Sequence, residues 1–418
     1  MSDGQLARRL TTGDAVTIGL GAMIGAGVFA AFGPAAQAAG SGLLIGLVLA
    51  AVVAYANATS SAQLAALYPQ SGGTYVYGRE RLGEVWGYLA GWGFVVGKTA
   101  SCAAMALTFG AYAAPAYARP AAVGAVVGLT AVNLAGVRKT ASLTKVIVAV
   151  VLATLAAVVT AALGGGEIAV GNLDDPLAVG GVYGILQSGG LLFFAFAGYA
   201  RIATLGEEVV DPRRTIPKAI PLALGLTLLV YATVAVSALL AAGPDALADA
   251  EAPLAAAVEV GGLEVLTPAV AIGATVASVG VLLSLLVGVS RTTFAMARDG
   301  HLPGVLARVS TRTQVPAVAE VAVGIVVILV LVSGADLREA IGFSSFAVLT
   351  YYSIANASAW TLSAADRRWP RWLAGLGVVG CAVLAFTLPL ISVVAGAGLL
   401  ALGAAVYGLR RLGSSGRG

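Results

Sequence analysis

A chain that reads as one apolar run after another, with short polar intervals between, has few ways to fold. Twelve such runs occur, each near the roughly 20 residues that a helix needs to cross a bilayer. They lie near 13–38, 41–66, 85–114, 119–136, 141–163, 182–208, 216–241, 264–298, 316–333, 339–361, 372–389 and 391–409. Charged residues make up only 11% of the 418 residues and hydrophobic ones 59%. A soluble protein carries about 25% charged residues, so this chain cannot clothe a soluble fold of its length. The pattern predicts an all-α polytopic membrane protein. It excludes a soluble enzyme, a secreted disulfide scaffold and a DNA-binding regulator.

The basic residues set orientation. With the N-terminus in the cytoplasm, every Lys and Arg falls on the cytoplasmic side except Arg119, Arg338 and Lys98. The intervals left outside are acidic: Glu167, Asp174 and Asp175 in one, Asp245, Asp249 and Glu251 in another. Both termini are expected inside, at the plasma membrane, around an even number of spans. The net charge of +4 therefore speaks of topology and not of nucleic acid. Cys102 and Cys381 lie within apolar runs and read as small core residues. His301, the single histidine, leaves no cluster for a metal, and as part of a cytoplasmic loop it reads as a solvated residue. The first run contains glycines and lacks a small-residue cleavage motif, so no signal peptide is expected. No interval is long enough for a soluble domain, so the whole chain, 1–418, reads as one membrane domain.

Two runs carry more than an anchor needs. The first reads Ile18-Gly19-Leu20-Gly21-Ala22-Met23-Ile24-Gly25-Ala26-Gly27-Val28-Phe29. Each glycine weakens a helix by about 1 kcal/mol relative to alanine. The sixth reads Phe193-Phe194-Ala195-Phe196-Ala197-Gly198-Tyr199-Ala200, again a small-residue interruption at mid-span. Small residues also let membrane helices pack closely, which is the plain alternative. The matching places, first and sixth, run in opposite directions through the bilayer. That is the pattern of two inverted repeats, about 13–163 and 182–361, with a hairpin at 372–409 appended. Unwound backbone at membrane depth is tolerated only around a cavity or within protein. The half-helix starting near Gly27 offers free N–H groups and a positive dipole end to a carboxylate. The carbonyls that end the preceding halves suit an ammonium. Together they make a site for a zwitterion, an amino acid.

At this point the chain resembles the amino acid–polyamine–organocation (APC) permeases. Gly21 to Phe29 looks like their first-helix motif, and Ser71-Gly72-Gly73-Thr74-Tyr75 like their signature between helices two and three. Phe193 to Gly198, with Gly206-Glu207-Glu208, Asp211-Pro212 and Ile216-Pro217 after it, is similar to their sixth helix and following loop. Arg291 to Pro303 resembles the end of their eighth helix. The loop after helix six looks nearest to the cationic amino acid transporter branch. The resemblance implies the leucine-transporter fold, a 5+5 inverted repeat and alternating access. It implies substrate contacts at Ile24, Gly25, Ala26 and Gly27, and at Phe194, Ala195, Phe196, Ala197 and Gly198. Phe196 stands where the family often places an aromatic gate, and Glu207 and Glu208 belong to the cytoplasmic cluster that shapes the inner gate.

Two departures bear on substrate. The cationic branch usually carries an acid just after the sixth-helix break, where this chain has Ala200 and Arg201. Some relatives carry an acid in mid helix three, where this chain has Gly97 and Lys98. At 8 Å each positive charge opposes a cationic side chain by about 2 kcal/mol at an effective dielectric of 20. Neutral amino acids are expected to be preferred over lysine or arginine.

Lys98 lies deep in the third run, where a charge costs about 3 kcal/mol or more unless it faces the bundle interior. It is the proton-carrier candidate, and a structural lysine bonded to unwound carbonyls is the alternative. Lys145 is a weaker coupling candidate, since its stem can snorkel to the cytoplasmic face. Arg201 either lines the inner vestibule or pairs with Glu207 or Glu208. A sodium ion, with oxygens such as those of Ser284 and Ser290, is the alternative to a proton. The reading is a secondary active amino acid transporter, symporter or exchanger, in the lipid bilayer, with no cofactor, nucleic acid or required protein partner. A sensor that binds an amino acid without net transport is the alternative. An enzyme is not expected, because the spans offer neither a histidine nor a carboxylate pair.

Overall fold

The computed structural model describes residues 10–68, 72–136, 141–164, 168–203 and 209–415. Its helices are α1 (Thr12–Met23), α2 (Ala26–Ala39), α3 (Leu43–Leu67), α4 (Thr74–Leu82), α5 (Glu84–Ala113), α6 (Ala118–Leu134), α7 (Ala141–Gly164), α8 (Gly181–Phe196), α9 (Ala200–Ala203), α10 (Pro212–Asp249), α11 (Pro253–Val260), α12 (Thr267–Arg298), α13 (Ala317–Val332), α14 (Leu337–Trp360), α15 (Arg371–Phe386) and α16 (Leu390–Ser415). No strand occurs among the described residues, only a single bridge between Leu10 and Val209.

Each apolar run coincides with a helix or a broken pair of helices. Among the described residues, seven stretches are long and apolar enough to cross a membrane, and two shorter apolar helices, Ala317–Val332 and Arg371–Phe386, accompany them. α14 is long enough but carries Ser344, Ser345, Asn356 and Ser358, all buried, on an otherwise apolar helix. α5 and α12, with 30 and 32 residues, are the long third and eighth helices that the sequence requires.

Local chemistry sets the ends. α1 opens on a capping box: Thr11 Oγ1 accepts from the Asp14 N–H at 3.2 Å, and Asp14 Oδ2 accepts from the Thr11 N–H at 3.1 Å. α14 opens on the same device, made by Asp336 and Glu339. α10 extends past the expected 216–241 because Gly243, at φ 76°, bends the chain and a further turn follows it.

The packing is reciprocal. The second helix, α3, lies on α8 of the sixth, while the seventh, α10, lies on α1 and α2 of the first. The third and tenth, α5 and α14, pack together, and so do the eighth and fifth, α12 and α7. α15 then lies on α14 and α3, and α16 on α14 and α5. The first and sixth helices thus sit inside the others, and their breaks fall at the middle.

Candidate functional site

The first helix stops at Met23. Ile24 and Gly25 leave the helical path, and Gly25, at φ −102° and ψ −142°, begins α2 without any side-chain cap. The first-turn N–H groups of α2 therefore keep the free donors and positive dipole end that the sequence predicts there. The sixth helix ends at Phe196, passes through a 3-10 turn at Ala197–Tyr199, and resumes at Ala200.

The two breaks lie against each other. A methyl group added at Gly198 would stand 2.2 Å from the Ala22 carbonyl oxygen, and one at Gly27 would stand 2.9 Å from the Ala195 Cα. Only glycine allows backbones this close. Ile24 and Phe196 are fully buried, and Phe194 and Gly198 are partly exposed. Ala26 opens α2, and its side chain lies outside the described atoms. Glu207 and Glu208, expected at the inner gate, also lie outside the described residues.

Tyrosines brace this pair, and sequence reasoning passed over them. Tyr231 Oη, on α10, lies 2.5 Å from the Met23 carbonyl oxygen and 3.1 Å from that of Ala195. One hydroxyl thus serves the terminal carbonyls of both broken helices, groups that a helix end leaves without partners. The Phe196 ring meets the Tyr231 ring edge-on at 5.2 Å. From α14, Tyr352 Oη donates to the Ala197 carbonyl at 3.1 Å and its ring stacks on Tyr199 at 5.0 Å. A tyrosine in an apolar run signals only that its hydroxyl needs a partner, not which one.

Above the breaks, Arg338 ties three helices. It donates to Gln37 Oε1 of α2 at 2.6 Å and to Gln187 Oε1 of α8 at 2.8 Å. On the same side Tyr112 Oη donates to the Phe29 carbonyl and accepts from the Leu254 N–H, both at 3.2 Å, joining α5, α2 and α11.

The candidate coupling lysines differ. Lys98 is partly buried on α5, next to Gly97, which packs on Ala347 of α14. Among the described residues no hydrogen bond or ion pair holds its ammonium. Lys145 instead forms an ion pair with Asp14 at 2.9 Å, with 57% of its side chain exposed. It joins α7 to the start of α1. Arg201, on α9, is exposed.

His301 is not a free loop residue. Its ring packs edge-on against Tyr75 and Tyr88 and lies beside Tyr407. Tyr75 Oη lies 2.7 Å from Asp299 Oδ2 and 2.9 Å from His301 Nδ1. The hydroxyl proton goes to the carboxylate, so Nδ1 donates to the hydroxyl. Burial lowers the His301 pKa from its ordinary value. The expectation of a solvated side chain missed that α4, α5 and α16 all close on this loop.

Glu320, in the first turn of α13, is 4% exposed and accepts from Asn133 Nδ2 at 2.6 Å. A lone acid within an apolar run was the signal that could have found it. No cluster of metal-ligating side chains occurs among the described residues.

A family model described as amino acid permease matches residues 10–404. An uncharacterized transporter of Mycobacterium tuberculosis is 64% identical over 408 residues, covering 98% of this chain and 92% of its own. A branched-chain amino acid permease of Bacillus subtilis is 29% identical over 75% of this chain and 72% of its own. A methylthioribose transporter of the same organism is 29% identical over 74% and 72%. A vacuolar cationic amino acid transporter of Arabidopsis thaliana is 29% identical over 77% and 58%. These relatives are named as transporters or permeases.

Proposed function

Since the chain belongs to the amino acid permease family, a family of membrane transporters and not of enzymes, we propose that it carries neutral amino acids across the plasma membrane by alternating access. The reading takes twelve spans in a 5+5 inverted repeat with a C-terminal pair, and both termini in the cytoplasm. The observation that carries it is the pair of breaks. Two interrupted helices abut at the centre of the bundle, and one hydroxyl, Tyr231 Oη, serves carbonyls of both. The reciprocal packing of α3 on α8 and α10 on α1 supports the repeat. The relatives' names give the sensor alternative no support.

In this reading the substrate carboxylate takes the free N–H groups of Ala26, Gly27 and Val28 at the start of α2. The ammonium takes the carbonyls of Met23 and Ala195, where Tyr231 now donates. Carbonyl oxygens have two lone pairs, so substrate and tyrosine can share them. Ile24, Gly25, Phe194, Phe196, Ala197 and Gly198 enclose the side chain, and Phe196 gates it. Opening needs the breaks to part, because Gly198 and Gly27 leave no room between them. Arg338 with Gln37 and Gln187 holds the outer side closed, and its release opens that side.

Lys98 is assigned the coupling proton. It is a titratable side chain within a span that no described side chain holds in an ion pair, and an alternating pathway lets it load a proton on one side and release it on the other. Lys145 has a partner, Asp14, so it is assigned a structural tie.

Uptake of a labelled amino acid panel into proteoliposomes, with and without a pH gradient, tests both parts. The expected result is saturable uptake of a neutral amino acid driven by the gradient, with Lys98→Ala losing driven uptake but keeping exchange. Uptake that needs sodium and ignores pH overturns the coupling assignment. Saturable arginine uptake that excludes neutral amino acids overturns the substrate assignment.

A further inference from the structure

Among the described residues Glu320 is the only charged side chain in the buried core, at 4% exposure. It lies in the first turn of α13, and the transport reading gives it no work. Its Oε1 accepts from Asn133 Nδ2 at 2.6 Å. Asn133, also 4% exposed, ends α6, and its Oδ1 has no partner. Turning the amide over does not cure this, because one of its two atoms is left unmatched either way. A single amide leaves a buried carboxylate uncompensated, and a cation close by is what such a group requires.

Both side chains line a cavity of about 70 Å³ between α6, α12 and the chain entering α13. One water needs roughly 10–15 Å³ of such space, so the cavity is large enough for a ligand the size of alanine. Ser290 lines it too; it is 1% exposed and donates to the Val287 carbonyl, so its oxygen remains an acceptor. Arg291, exposed, lines the same cavity and forms no ion pair with Glu320.

We propose that this cavity is a second amino acid site, separate from the helix breaks: Glu320 and the Asn133 Oδ1 take the ammonium of a small zwitterion, and Arg291 takes its carboxylate. The charges decide the class. A metal cation is repelled by Arg291 and an inorganic anion by Glu320, whereas a zwitterion satisfies both. The site falls on the face where Arg298, Arg308 and Arg312 also lie, the cytoplasmic face by the charge bias. Its occupant is therefore a cytoplasmic amino acid. The site has a physical link to the transport pathway. Ser290 and Arg291 share α12 with Val281, whose Cγ2 lies 2.2 Å from where a Gly25 Cβ would stand in the first break. The proposal rests on the cavity's own chemistry and not on the transport reading.

The test is equilibrium dialysis of labelled alanine against the purified full chain, with melting temperatures confirming that each variant is folded. The expected result is one more alanine bound per wild-type chain than per Glu320→Gln chain, a variant that keeps the acceptor for Asn133. Arg291→Gln should weaken the second site about tenfold, the loss of one charge-assisted contact. Alanine methyl ester, which lacks the carboxylate, should not occupy it. Equal alanine binding by the two chains, at whatever stoichiometry, overturns the proposal and marks the cavity as a hydrated pocket. So does displacement of the Glu320-dependent alanine by sodium chloride. An uptake assay that fails while the second alanine stays bound breaks the transport reading alone.

Discussion

The break in the first helix is made by loss of helix-forming residues, and the break in the sixth by a turn of 3-10 helix held between rings. At the first, Ile24 and Gly25 leave the helical path, and the Tyr231 hydroxyl donates to the carbonyl of Met23. At the sixth, hydrogen bonding continues through Ala197–Tyr199, and Tyr352, stacked on Tyr199, takes the Ala197 carbonyl. The comparison teaches that the sixth break is defined by its neighbours and the first largely by its own residues. Tyr231 is the element they share.

Substitutions sharpen this contrast, and the largest effect is expected at Gly198. A methyl there meets the Ala22 backbone at 2.2 Å, and backbone cannot step aside as a side chain can. Gly198→Ala should cost roughly 3 kcal/mol of overpacking and abolish uptake. Gly25→Ala meets only the Val281 side chain, which can shift on α12, and should cost roughly 1 kcal/mol with partial uptake retained. Melting temperature in detergent and proteoliposome uptake read both. Equal losses in the two variants would break the contrast between a backbone-defined contact and a yielding one.

Next in size is Tyr231→Phe. It removes the donor to buried carbonyls of both helices, a loss of about 1–3 kcal/mol. At the low end, level with Gly25→Ala, is Tyr352→Phe, which removes one donor, to Ala197, and keeps the ring stack; about 1 kcal/mol is expected. If Tyr352→Phe costs uptake more than Tyr231→Phe, the shared role of Tyr231 is wrong.

Much of this was legible in the sequence. Apolar runs gave the helices, because in a bilayer the backbone must bond within its own segment. Glycines marked the breaks, and Gly27 and Gly198 stand where the two backbones meet. The tyrosine braces were not legible, because Tyr231 and Tyr352 sit in apolar runs where a ring alone accounts for them. Their hydroxyl partners depend on which helices touch, and reciprocal packing across the repeats is not written in any local pattern. Glu320 was visible as a lone acid within an apolar run, but its amide partner and the cavity beside it come from other helices. His301 looked solvated because the rings around it come from α4, α5 and α16, far apart in sequence.

The central claim is that an amino acid binds between the two breaks. A cryo-EM map of the purified protein at saturating concentration of its transported amino acid tests it most directly. The account predicts new density between Gly25–Gly27 and Ala197–Gly198, with the carboxylate against the first N–H groups of α2 and the ammonium beside the carbonyls of Met23 and Ala195. Density found only in the cavity beside Glu320, with Gly198 still seated against Ala22, would contradict it.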